Sequence, residues 1–224
     1  MSEPARIESV VFDYGGVLTN PVSSGISAWL EADGMAPESF RAVLKAWLSR
    51  SALGGNPIHR LASGALSVQE FEELLTPQLP THGDRPVVAS GILARIFAGM
   101  RADPSMFALV EELRALGIRV ALLSNGWGNT SPRARIDSLF HEVVISGEVG
   151  LCKPDPTIYR LTLERLGITA EAAVFLDDAE PHVAGARGVG MHAWLHIDPA
   201  GMRDAMSRLV PGLRSVTQVE GVGA

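Results

Sequence analysis

The stretch VVFDYGGVLTNP, residues 10–21, runs three apolar residues into an aspartate and then into two adjacent glycines. An apolar run of this length reads as a buried strand, and Asp13 stands where that strand ends. Outward from it, four more short apolar runs rich in β-branched residues follow: IRVALL (118–123), EVVIS (142–146), AAVFL (172–176) and HAWLHI (192–197). Helical patterns separate most of them, namely DPSMFALVEELRALG (103–117), DPTIYRLTLERLG (155–167) and EPHVAGARGVG (180–190). The first two open on Asp-Pro and close on Gly, which are helix start and stop signals. Strand-helix alternation predicts an α/β fold, a Rossmann-like parallel sheet with helices on both faces.

The alternation breaks once. Between about residues 20 and 100 the pattern is helical, in SSGISAWLEADG, PESFRAVLKAWLSR, LSVQEFEELL and VVASGILARIFAGM, with a loop at THGD between Pro80 and Pro86. The expected organisation is therefore a core of residues 1–19 and 100–224 with an inserted α-helical cap of residues 20–99.

Bulk properties narrow the function. The 224 residues carry a net charge of −6, which disfavours wholesale binding to nucleic acid or an acidic membrane surface. Cys152 is the only cysteine, so neither an internal disulfide nor a cysteine-rich metal site is expected. No apolar run reaches the roughly 18 residues of a membrane span. MSEPARIE does not read as a secretory signal, and the expected location is the cytoplasm.

Several polar groups stand at or near the ends of apolar runs: Asp13, Ser124 with Asn125, Lys153, and Asp177 with Asp178. Singly, each has an ordinary reading as a turn or capping residue. Adjacent carboxylates at a strand end repel unless a cation is near. A parallel sheet would bring Asp13 and the acidic pair together as hard oxygen ligands of the kind magnesium takes, with a hydroxyl and an ammonium suited to an anionic substrate.

In this order the residues resemble the four motifs of the haloacid dehalogenase-like hydrolase superfamily: VVFDYGGVLT, ALLSN, GLCKPDPTIY and VFLDDAEPHVAGARGVG. Within it, the chain is similar to the helical-cap subclass that includes the phosphatase domain of soluble epoxide hydrolases and bacterial sugar-phosphate phosphatases. LASGALSVQEFEELL is similar to a segment of their caps. The resemblance implies a magnesium-dependent hydrolase of small organic phosphate esters, with Asp13 as nucleophile and an aspartyl-phosphate intermediate. It assigns phosphate binding to Ser124, Asn125 and Lys153. Metal ligation falls to Asp13, the Gly15 carbonyl and Asp178, with Asp177 as a neighbouring or outer ligand. The partner implied is a small phosphorylated metabolite, with no nucleic acid and no membrane, and the protein is expected as a monomer or homodimer.

Gly15 departs from the pattern. Many relatives carry an aspartate there as general acid and base, a role worth typically 10²–10⁴-fold. His59 and His82 are candidate substitutes, each with a surface reading beside it, and Thr19 is a weaker one. Tyr14 and Gly16 are expected to shape the turn, Trp127 to pack or to border the entrance, Cys152 to be inert, and His182 to play a supporting part. Two other functions stay open: a non-catalytic or redirected phospholigand-binding member, and a metal-free 2-haloacid dehalogenase, which the acidic pair disfavours.

Overall fold

The computed structural model describes residues 6–49, 56–79, 88–127 and 133–216. The expected strands are present as β1 (Ser9–Phe12), β2 (Arg119–Ser124), β3 (Glu142–Ile145), β4 (Ala173–Asp177) and β5 (His192–Leu195). They form one parallel sheet in the order β3-β2-β1-β4-β5. Side chains alternate across it with the two-residue period of a strand. Val10, Phe12, Val120, Leu122, Val174 and Leu176 enter one apolar core, while Val11, Ala121, Leu123 and Phe175 enter another on the opposite face.

Helices α1 (Val22–Ala32), α2 (Pro37–Ser49), α3 (Pro57–Ala62), α4 (Val68–Leu75) and α5 (Ile92–Phe97) precede β2 and build the cap. Helices α6 (Pro104–Ala115), α7 (Arg133–Leu139), α8 (Ser146–Val149), α9 (Pro156–Leu166), α10 (Glu180–Gly188) and α11 (Pro199–Ser207) belong to the sheet domain. Met106, Leu109 and Leu113 of α6 and Met202 and Met206 of α11 cover one face; Ile158, Tyr159 and Leu163 of α9 with Val183 of α10 cover the other. The fold is the Rossmann-like core with an inserted α-helical cap that the strand-helix pattern implies.

The cap has its own apolar centre, with Trp29 against Phe40 and Trp47 against Phe71. Its chain leaves and returns side by side. Thr19 and Ala102 form an antiparallel bridge, and the Asn20 and Asp103 amides donate to the Arg101 and Leu18 carbonyls at 2.9 Å each.

Two sequence expectations change, and one helix is not foreseen. Over its described residues, 88–100, VVASGILARIFAGM is helical only at Ile92–Phe97, because Gly91 takes a left-handed conformation and the Glu72 carboxylate accepts from the Gly91 and Leu93 amides at 2.9 Å. That buried acid from α4 starts the helix where local pattern does not. The strand in EVVIS ends at Ile145, and Ser146 begins α8. Helix α3 has no long periodic run to announce it; its signals are the Asn56 side chain, which accepts from the Ile58 amide at 2.8 Å, and Pro57 at its first turn. Ser67 and Glu70 form a capping box that starts α4.

Candidate active site

Sheet register sets the site. Phe12 pairs with Leu122 on one side and Leu176 on the other, so β1, β2 and β4 end at nearly one level. Asp13 follows directly, held by its amide donating to the Leu176 carbonyl at 2.9 Å, and Asp177 is the last residue of β4. The carboxylate oxygens of Asp13, Asp177 and Asp178 come within 4.8 Å of one another.

Lys153 crosses this cluster. Its Nζ donates to Asp13 Oδ1 and to Asp177 Oδ2, both at 2.6 Å, and its side chain is 1% exposed. Asn125 fixes the lysine from behind: its amide group donates to the Lys153 carbonyl at 3.0 Å while its oxygen accepts from the Lys153 N–H at 2.9 Å. Ser124 ends β2 beside it and lines the cavity above Asp13. The two acids of the pair differ. Asp177 is fully buried, and beyond Lys153 its oxygens accept from the Ala179 amide at 2.9 Å and meet His182 Nδ1 at 3.0 Å. Asp178 is exposed and lines the cavity together with Asp13.

The electrostatics follow this division. Burial pushes the Asp13 carboxyl up to about 6, with Lys153 opposing and Asp177 adding to the rise. Asp178 is exposed, yet the walls of the cavity strip part of its water, and this with the Asp177 charge raises its carboxyl too. Burial acts to raise Asp177 as well, but Lys153 and His182 outweigh it and hold that carboxyl below its ordinary value. For Lys153 desolvation is outweighed by the two carboxylates, so the ammonium is kept.

The glycine pair has two separate reasons. Gly16 has φ +83°, and a Cβ there would stand 2.1 Å from Asp178 Oδ2, so only glycine lets that carboxylate lie over the turn. At Gly15 a Cβ would meet Val22 Cγ2 at 3.0 Å and Met100 Cε at 3.9 Å. The space beside residue 15 is thus taken by two apolar side chains, Val22 of the cap and Met100 just beyond it.

The remaining candidates fall apart. His59 is exposed and meets Cys152 Sγ at 3.1 Å rather than the cavity, and His82 lies outside the described residues. Thr19 is buried in the turn, where its hydroxyl accepts from the Gly16 amide at 3.2 Å. Burial raises the Cys152 thiol, aided by Asp155, which is the inert state expected of it. Trp127 does both things foreseen: it packs against Phe71 and Phe97 and lines the cavity. Sequence reasoning underrates His182, five residues past Asp177 in the first turn of α10, and misses Ser146 altogether. The Ser146 hydroxyl accepts from the Gly126 amide at 2.9 Å and donates to the Ala62 carbonyl of the cap.

The comparisons agree with this construction. The sequence profile of the haloacid dehalogenase-like hydrolases matches residues 7–190. Acyl-CoA dehydrogenase family member 10 of Mus musculus is 27% identical over 82% of this chain, which spans only 17% of that protein's length. A phosphatase of Mycobacterium tuberculosis (strain CDC 1551 / Oshkosh) is 29% identical over 97% of this chain and 99% of its own. A haloacid dehalogenase family enzyme from Bacteroides thetaiotaomicron, solved in complex with magnesium and inorganic phosphate, shares the fold at a TM-score of 0.65. It is 19% identical and covers 85% of this chain and 94% of its own. With four motifs gathered at the ends of β1, β2 and β4, this chain belongs to the haloacid dehalogenase-like hydrolases, as an enzyme of the phosphatase type.

Proposed function

We propose that the protein is a magnesium-dependent phosphatase of small organic phosphate esters that works through an aspartyl phosphate on Asp13. The observation that carries this reading is the gathering of Asp13, Asp177 and Asp178 around one buried ammonium at the carboxyl edge of the sheet. The donor set fits magnesium: hard carboxylate oxygens, two of them on a cavity with room for waters and substrate phosphate. Asp13, the Gly15 carbonyl and Asp178 would hold it, with Asp177 behind them. When bound it would offset the charge of the phosphoryl oxygens and the carboxylates together.

Each residue then has a task. Lys153 holds Asp13 by one oxygen, leaving the other to attack phosphorus as the P–O bond to the leaving group breaks. Ser124 and the lysine ammonium neutralise charge spread over the equatorial oxygens, and Asn125 keeps the lysine in place. Water hydrolyses the acyl phosphate and restores Asp13. The cap, residues 20–99 on the core of 1–19 and 100–224, closes over the leaving group; its separate apolar centre and the Thr19–Ala102 bridge support that division.

A phosphatase screen with magnesium, run beside Asp13→Asn, tests the reading. Phosphate release that needs both the metal and Asp13 supports it. Release that survives the substitution refutes the mechanism, and metal-independent halide release from a 2-haloacid would favour the dehalogenase instead.

A further inference from the structure

The cavity above Asp13 has about 280 Å³ of space and two unlike sets of lining residues. Its floor is the charged cluster already described. Beside that cluster and Tyr14, an apolar wall comes from Val22 and Phe97 of the cap, Met100 where the chain returns to the core, and Trp127 and Ile145 of the core. None of these five side chains has an oxygen, and the single nitrogen is the Trp127 indole. Phe97 and Trp127 meet edge to face, with ring centroids 6.4 Å apart at 83°, so lid and core close the wall by an aromatic contact. Val22 carries the apolar surface down to Gly15, beside the nucleophile.

Resting on the phosphatase reading, we propose that the leaving group is an uncharged apolar alcohol, so that the substrate class is monophosphate esters of aliphatic or aromatic alcohols rather than of polyols or of alcohols bearing a second anion. Two observations carry this. A sugar or glycerol moiety set against the wall would lose water from its hydroxyls with few groups there to replace it. A second phosphate or a carboxylate would need a second cation. Among the described residues the lining holds two side chains able to carry positive charge, Lys153, which Asp13 and Asp177 engage at 2.6 Å, and His182, whose Nδ1 meets Asp177 at 3.0 Å, so neither is free for a second anion.

The test compares kcat/KM for n-hexyl phosphate, glycerol 3-phosphate and glucose 6-phosphate at saturating magnesium. All three are esters of primary alcohols, so the demand for leaving-group protonation is similar. Each methylene taken fully from water is worth roughly fourfold, so even partial burial of the hexyl chain gives a preference of about tenfold or more. Two variants, Met100→Lys and Val22→Asn, are read as the same substrate ratio, which is insensitive to a uniform loss of activity; each brings the ratio toward one. Equal or faster turnover of the polyol esters by the wild type overturns the assignment. So does a ratio that neither variant moves. Acetyl phosphate, whose leaving group barely reaches the wall, separates the two levels: hydrolysis of it with no hexyl preference sinks only the leaving-group assignment, whereas no release from acetyl phosphate or any ester sinks the phosphatase reading with it.

Discussion

Gly16→Ala concentrates the structural reasoning in one methyl group. Gly16 sits at φ +83°, and its added Cβ would lie 2.1 Å from Asp178 Oδ2 and 2.7 Å from its Cγ. Ordinary carbon–oxygen contact needs well over 3 Å, so the Asp178 carboxylate must retreat by about an ångström. A misplacement of that size at a catalytic site costs roughly 10²-fold. The left-handed backbone adds about 1–2 kcal/mol of strain for alanine, too little to unfold a domain of ordinary stability. The expected outcome is a kcat/KM for p-nitrophenyl phosphate lowered about 10²-fold, a magnesium titration midpoint moved to higher concentration, and a urea midpoint only modestly reduced. Gly34→Ala is the control: it also has positive φ, at +65°, but nothing lies within 4 Å of its added Cβ. It should show a similar stability loss with normal activity. Activity of Gly16→Ala within threefold of wild type, or an equal activity loss in Gly34→Ala, would refute the assignment of Asp178 to the reactive centre.

Gly15→Asp alone should fail to speed alkyl ester hydrolysis, since its Cβ meets Val22 Cγ2 at 3.0 Å; with Val22→Ala added, the alkyl-to-aryl rate ratio should rise by about tenfold or more, checked by steady-state kinetics on matched esters. Ser146→Ala removes the partner of both the Gly126 amide and the Ala62 carbonyl, and the expected loss is about 2–4 kcal/mol in urea unfolding together with a reduced kcat/KM. Lys153→Met leaves buried carboxylates without their cation, so stability near pH 8 should fall by about 3–5 kcal/mol, a deficit that shrinks as acid protonates them. For Asp13 the folded pKa is raised, from 3.8 to about 6, so in chelator its stabilising contribution is complete below about pH 4 and is lost as pH rises through 6. The urea stability of wild type minus that of Asp13→Asn should fall across that window and flatten when magnesium is added.

What could be read along the chain was whatever is encoded locally. SVVF, AAVFL and the Asp-Pro openings of α6 and α9 announce themselves by composition and capping, and β1, β2 and β4 carry their polar residues to one sheet edge because parallel strands must end together. Asp13, Ser124 and Asp177 are therefore legible as a group, and Lys153, in the loop between α8 and α9, joins them only through its motif. The unread parts depend on partners far away in sequence. Glu72 starts α5 from another helix, and Ser146 ties the Gly126 loop to the cap across 84 residues. Val22 fills the place where Gly15 lacks a side chain, which no pattern within VVFDYGGVLTNP reveals.

The electrostatics also separate the cluster into two parts with different work. Asp177 is shared between Lys153 and His182, and of the three acids of the cluster it is the one held below its ordinary pKa. Asp13 and Asp178, the two acids that face the cavity, are both pushed up, Asp13 by burial and the exposed Asp178 by partial desolvation with the Asp177 charge beside it. One ammonium cannot satisfy three carboxylates, and it is already committed to the two that are buried. A phosphate ester arriving above Asp13 brings further negative charge to the same space. The apolar wall keeps the local dielectric low, so the repulsion there is stronger than in water. Asp13 and Asp178 would hold a divalent cation that offsets both difficulties, since its charge would lower the two raised pKa values and favour entry of the anion. A metal-free dehalogenase would have no use for the open acid at 178, and a passive binding domain would have no reason to keep Asp13 ionisable beneath an apolar lid.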